Sequence, residues 1–330
     1  MVRGPAGAAI NKSFKLTVFV WSRLDSLVTP LIILESTSPL GTTEKIRDWL
    51  SSMRPDLGLP GETTNPDIYI AHSPERVLPG RMLLELVEND RVIGGITTAC
   101  AEKAASFYQT FVNGTCHVTD ARTAEFVKLA ENAYRDTNIA FANEISMVCD
   151  ELGINVWEML ELANRHPRVN ILQPGPGVGG HCIAVDPWFL VDSAPHLTPL
   201  IQAARSVNNK KTALVVNNIL SRANEINPAK ICCLGLAYKA NIDDLRESPA
   251  VEIVKKLADC FNGEICVCEP NINELPDLLK DSKKIQLLSI DACLEDAEIV
   301  VLLTDHREFS KISISALADE SVIDTRGLWH

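Results

Sequence analysis

The stretch KICCLGLAYKANIDDLRESPAVEIVKKLADCFNGEICVC, from Lys230 to Cys268, decides the fold class. Lys230–Leu234 is a short apolar run that stops at Gly235 and reads as a buried strand. A helix is expected over Glu247–Ala258 and a second strand over Glu264–Cys268. Strand, helix and strand in succession imply parallel pairing through a right-handed crossover. Two further strands are expected at Glu298–Leu303 and Ser321–Asp324, with Pro228 opening the domain. The chain is therefore read as α/β.

Toward the N-terminus the period changes to that of a helix. Val127, Ala130, Tyr134, Phe141, Ile145 and Val148 fit the apolar side of one long helix from Thr123, which Gly153 ends. A shorter helix is expected over Trp157–Ala163 and another over Pro199–Arg222, with the loop QPGPGVGG, Gln173–Gly180, between them. Earlier still, Leu31–Leu34 and Asp67–Ala71 read as strands, Thr97–Phe111 as a helix and Cys116–Val118 as a last strand. Thr43 is expected to cap a helix reaching about Leu50. The expected division is an unassigned segment 1–30, a partial domain 31–120, a central helical domain 121–226 and a C-terminal domain 227–330.

The totals agree with several domains of ordinary globular composition: 330 residues, 46% hydrophobic and 22% charged. A formal charge of -12 argues against nucleic acid or an anionic membrane as partner, while leaving room for a phosphorylated small substrate. Leu16–Leu34 comes nearest to a membrane span, but Arg23 and Asp25 lie at its centre, where each charge costs roughly 2.5–3.5 kcal/mol. The ten cysteines form no CxxC pair and no metal-ligand spacing, so no metal is expected. A reducing cytoplasm is the simplest setting.

Chemistry gathers at GGHCIAVDPW, Gly179–Trp188. Cys182 follows a glycine-rich turn whose N–H groups suit a thiolate or an oxyanion, and Asp186 follows one helical turn later. On residue types alone, a buried inert cysteine is an equal reading. Lys128, Asn132 and Arg135 share one helix face, Glu75 follows a strand end, and Lys239 and Arg246 flank a strand-to-helix loop. Taken singly, Lys128, Asn132, Arg135 and Glu75 are more readily read as solvated surface groups, and Lys239 and Arg246 can be read as solvated cations of an ordinary loop. A cysteine hydrolase pairing Cys182 with His181 is disfavoured, because adjacent side chains rarely point together and no third orienting group follows.

Taken together and in order, five stretches resemble the UDP-glucose/GDP-mannose dehydrogenase family. They are ESTSPLGTTEKI, HSPERVLPGRMLLELVENDRVIGG, TAEFVKLAENAYRDTNIAFANEI, ANRHPRVNILQPGPGVGGHCIAVDPWFLV and GLAYKANIDDLRESPA. Within that family, His181 and Val185 around the nucleophile are similar to the N-acetylhexosamine branch, and VDPW, Val185–Trp188, favours members acting on UDP-N-acetyl-D-mannosamine. The resemblance implies Rossmann-like parallel-sheet domains, the first incomplete, joined by a long central helix. It implies NAD-dependent oxidation of a UDP-sugar at C6 to the uronate through a Cys182 thioester, in nucleotide-sugar and polysaccharide biosynthesis. Another UDP-hexose or UDP-N-acetylhexosamine is the alternative substrate.

The resemblance also implies residue roles. Asp186 would help activate water, Lys128 and Asn132 would hold oxyanions, and Glu75 would act as acid or base beside the cofactor. Thr37 would lie at the nicotinamide. Lys239, Arg246 and His181 would bind the substrate, and Arg168 would reach a neighbouring subunit of a homodimer or higher oligomer. The G-x-G-x-x-G that NAD's pyrophosphate needs is not found in residues 1–31. The expectation is a truncated or mis-started chain, and the alternative function an inactive remnant that binds UDP-sugar or joins a full-length partner.

Overall fold

The computed structural model describes residues 18–21, 29–77, 82–227, 229–313, 317 and 322–329. Pro228, Ser321, Arg23 and Asp25 lie outside the described residues. By internal contacts the chain divides into two units. One is Met1–Asn132 with Asp186–Thr198, the other Ala133–Val185 with Pro199–His330.

The first unit carries β1 (Val18–Trp21), β2 (Leu31–Leu34), α1 (Thr42–Met53), β3 (Tyr69–His72), α2 (Met82–Glu88), β4 (Arg91–Gly95), α3 (Thr98–Tyr108) and β5 (Cys116–Asp120). Its sheet runs β1-β2-β3-β4-β5. The expected parallel sheet is in fact mixed: β2–β3 and β4–β5 are parallel, but β1–β2 and β3–β4 are antiparallel. The strand β1 lies in the segment left unassigned from sequence. β2 is buried along its whole length because both faces are covered. Leu31 and Ile33 meet Ala104 and Tyr108 of α3 on one side, while Ile32 and Leu34 meet Ile46 and Leu59 on the other.

The cap of α1 differs from expectation. Gly41, in the left-handed region at φ 83°, is the N-cap, and Thr43 lies inside the helix. Buried Glu125 accepts from Gly41 N at 2.5 Å, Thr43 N at 2.7 Å and Thr43 Oγ1 at 2.7 Å. A carboxylate from a distant helix thus does the work of a local cap, with the helix dipole in its favour.

The long helix α4 (Ala121–Leu152) is followed by α5 (Val156–Ala163), α6 (Asp186–Ser193) and α7 (Pro199–Ile226). Gly153, at φ 66°, ends α4 as its sequence suggested. The buried side of α4 was not the one expected. In the second unit Tyr134 is 74% exposed, Phe141 52% and Val148 47%, whereas Ala133, Asp136, Ala140, Asn143, Ser146 and Cys149 are buried. Those positions meet polar groups of α7. Arg205 Nη1 donates to Asp136 Oδ1 at 2.7 Å, Asn143 Nδ2 to Asn208 Oδ1 at 2.9 Å, and Lys211 Nζ to Ser146 Oγ at 2.8 Å. A hydrogen-bonded seam of small and polar residues outranks the apolar stripe.

The second unit is completed by β6 (Lys230–Leu234), α8 (Pro249–Cys260), β7 (Glu264–Cys268), α9 (Asp277–Lys280), β8 (Ile285–Leu287), α10 (Ile290–Leu294), β9 (Ile299–Leu302) and β10 (Val322–Asp324). All pairings are parallel, in the order β10-β9-β6-β7-β8. The order reverses between β6 and β9, the place where open α/β sheets bind ligands. Ser248 caps α8 by accepting from Ala250 N, with Pro249 in the first turn. Its buried Ile253, Val254 and Leu257 pack on Ile231 and Ile265, each such side chain adding about 1.5–3 kcal/mol of burial. Among the described residues no helix is long and apolar enough to cross a membrane.

Candidate active site

In the first unit, three of the expected residues come together. Asn132, on α4, donates from Nδ2 to Asp186 Oδ2 at 2.5 Å, and Asp186 is the first residue of α6. Burial pushes the Asp186 carboxyl up to about 6, against the pull of the Asn132 bond and the Lys128 charge. A carboxylate poised there exchanges protons near neutrality. Arg135, placed on the same face from spacing, is exposed instead.

Thr37 and Glu75 also lie in this unit, in loops beyond the carboxyl ends of β2 and β3. Glu75 Oε1 accepts from Arg76 N at 2.7 Å and Val77 N at 2.9 Å, which fixes the carboxylate on its own loop. Next to Thr37, the buried hydroxyl of Ser38 has no hydrogen-bond partner among the described residues. An orphaned polar atom beyond a parallel strand pair fits a ligand with polar groups of its own, as the nicotinamide end of NAD has.

In the second unit, the loop before Cys182 is shaped by close backbone approach. A Cβ on Gly179 would stand 2.6 Å from the Glu247 carbonyl oxygen and 2.7 Å from Pro249 Cδ. Gly180 takes φ 82° and donates from its N–H to the Arg246 carbonyl at 3.1 Å. Farther back, Asn143 Oδ1 accepts from Gly175 N at 2.9 Å, and Thr212 Oγ1 donates to the Pro176 carbonyl at 3.0 Å. Cys182 is reduced and half-buried, and its carbonyl accepts from Val185 N at 3.0 Å, so the chain turns here. Cys182 lies within electrostatic reach of Tyr238 and Arg246, and His181 within that of Asp244. Arg246 holds Asp244 at 2.6 Å, and that pair keeps Asp244 below the ordinary carboxylate range.

Lys239 lines a narrow cavity with Gly177, Tyr238, Thr304, Asp305 and Arg326, beyond the ends of β6 and β9. Two cations there suit a diphosphate. Arg326 was missed from sequence. It sits just past the last strand and donates from Nε to Asp305 Oδ1 at 2.8 Å. The rule that singled out Lys239, a cation beyond the carboxyl end of a parallel strand, applies to it equally. Arg168 is exposed on the loop after α5. No group of metal-ligating side chains occurs among the described residues.

Residues 22–112 match the NAD binding domain of the UDP-glucose/GDP-mannose dehydrogenase family, 122–210 its central domain and 232–330 its UDP binding domain. An NDP-N-acetyl-D-galactosaminuronic acid dehydrogenase of Ralstonia nicotianae is 57% identical over 300 residues, covering 91% of this chain and 70% of that protein. A UDP-N-acetyl-D-mannosamine dehydrogenase of Escherichia coli is 51% identical over 312 residues, covering 91% and 73%. Among solved structures, a UDP-D-ManNAc dehydrogenase of Pyrococcus horikoshii superposes with a TM-score of 0.79 at 38% identity, covering 91% of this chain and 69% of that one.

Proposed function

Since this chain belongs to the UDP-glucose/GDP-mannose dehydrogenase family, we propose that it oxidises UDP-N-acetyl-D-mannosamine at C6 to the uronate, with Cys182 as covalent nucleophile. It is a dehydrogenase by family, and NAD is the family's cofactor. The observation that carries the mechanism is the buried Asp186 carboxyl, raised to about 6 and held by Asn132. Hydrolysis of an enzyme-bound thioester needs such a base.

Thr37 and Ser38 would hold the nicotinamide end of NAD, which would supply the hydride acceptor for both oxidations at C6. Glu75 takes the C6 hydroxyl proton. Cys182 Sγ then adds to the aldehyde carbon and, after the second oxidation, carries the acyl group as a thioester. Lys128 Nζ and Asn132 Nδ2 donate to the oxyanion that forms at C6. Asp186 removes a proton from water as the water oxygen attacks the thioester carbon. The C–S bond breaks, the thiolate leaves, and the uronate is released. Lys239, Arg246 and Arg326 hold the UDP diphosphate, and His181 borders the sugar.

A second substrate reading has a specific support, since the Ralstonia relative carries the galactosaminuronic name. Turnover of UDP-N-acetylmannosamine and UDP-N-acetylgalactosamine measured side by side decides between them. A preference for UDP-glucose over both would overturn the N-acetylhexosamine assignment. The exposed Tyr134, Phe141, Val148 and Leu152 recur at heptad-like spacing on α4 and supply the face through which the chain dimerises, with Arg168 reaching the neighbouring site. Nucleotide sugar and NAD as reactants support a cytoplasmic setting.

A further inference from the structure

In a parallel sheet with this strand order, the turn after the first strand ordinarily offers its N–H groups to a dinucleotide's pyrophosphate. An acidic residue after the second strand takes the ribose hydroxyls. Here β6 is the first strand and β7 the second. The acidic residue directly after β7 is Glu269, and it is buried. Its Oε2 accepts from Leu236 N at 2.7 Å and Ala237 N at 2.9 Å, the N–H groups of the turn after β6. The carboxylate stands where a phosphate oxygen would stand.

Its surroundings hold it there. Asn241 N donates to His306 Nδ1 at 2.9 Å, so that nitrogen is the acceptor and the proton sits on Nε2. His306 Nε2 then donates to Glu269 Oε2 at 2.9 Å. Asn271 donates to Glu269 Oε1 from both its backbone N and Nδ2, each at 3.1 Å. Burial alone would raise the Glu269 carboxyl, but the bonds from His306, Leu236 and Ala237 outweigh it and hold it low. Gly235 admits no substituent, since a Cβ would meet Thr304 Cβ at 2.4 Å. Ala237 and Thr304 also line the cavity that contains Lys239 and Arg326.

We infer that Glu269 is a built-in anion that fills the phosphate nest after β6, closes the C-terminal sheet to dinucleotides and leaves the adjoining cavity to the nucleotide sugar. The inference rests on the UDP-sugar reading above and adds a specificity-determining residue to it. A family that handles two nucleotides in one turnover needs such discrimination between similar sheets. The nest and the cavity share Ala237, so a dinucleotide on the nest and UDP in the cavity exclude each other.

The test is calorimetric displacement of UDP from the full chain by ADP-ribose, in the parent, Glu269→Ala and Glu269→Gln. Displacement counts only binding that competes with UDP, so ADP-ribose held in the NAD-binding unit does not register. The parent should bind UDP and resist ADP-ribose. Glu269→Ala should narrow the preference for UDP by about tenfold, what one charged hydrogen bond is worth. A preference unchanged in Glu269→Ala, even with lowered thermal stability, overturns the inference, because a purely structural carboxylate moves stability alone. If the alanine variant does not fold, Glu269→Gln decides by the same criterion, its amide keeping an acceptor for the two N–H groups without the charge. A parent that binds no UDP overturns the functional reading, and this inference with it, before any variant is made.

Discussion

Asn132 Nδ2 stands 2.5 Å from Asp186 Oδ2, joining residues 54 positions apart in sequence into one buried polar pair. The pair keeps ionised a carboxyl that burial alone would push further toward its neutral form.

The acid limb of turnover should follow from this. In its proposed role as base Asp186 would act only when deprotonated, so rate should fall as pH drops through about 6. Lys128→Met removes a charge that holds this carboxyl down, so the limb should move to higher pH. Profiles of kcat against pH for parent and variant check both statements. A limb that stays in place in Lys128→Met would show that another group controls it.

Asp186→Asn should abolish uronate formation while making the protein more stable. The folded-state carboxyl is raised, so the native protein binds this proton more tightly than the unfolded chain does. The charged form therefore destabilises the fold progressively as pH rises from about 4 to about 6. Above that window the variant should gain roughly 1–3 kcal/mol, and below it nothing. Urea melts at pH 8 and pH 4 measure the difference.

Cys182→Ser should stop uronate release with UDP binding retained, since an alkoxide is far harder to form than a thiolate. Mass spectrometry of parent enzyme quenched during turnover should find an acyl adduct on the Cys182 peptide. Parental turnover by the serine variant would remove Cys182 from the mechanism.

Gly179→Ala tests the shape of the nucleophile loop. Its Cβ would lie 2.6 Å from the Glu247 carbonyl, and backbone cannot yield as a flexible side chain can. Turnover should fall at least about tenfold, since a small misplacement of reacting groups has that effect. Circular dichroism should show the fold intact.

Glu125→Ala should cost about 2–4 kcal/mol in denaturant unfolding, because Gly41 N, Thr43 N and Thr43 Oγ1 lose their acceptor inside the protein. Phe141→Glu should leave that stability nearly unchanged and shift sedimentation toward the monomer, if α4 is the dimer face.

The sequence by itself determined the local elements and the identity of the family. Lys230–Leu234 and Glu264–Cys268 form strands with the boundaries read from their apolar runs, and Gly153 stops α4, because these signals are carried by neighbours in the chain. The Cys182 loop was legible for the same reason: glycines and prolines announce backbone shape locally. Short elements such as α2, α9 and β8 left no comparable signal. Tertiary structure decided which face of α4 is buried, because Asp136, Asn143 and Ser146 find partners on α7 that no periodicity reveals. It decided that Glu125 and not Thr43 caps α1, and that Glu269 turns onto the β6 loop. A buried charge takes its meaning from donors brought to it by folding, and those donors are remote in sequence.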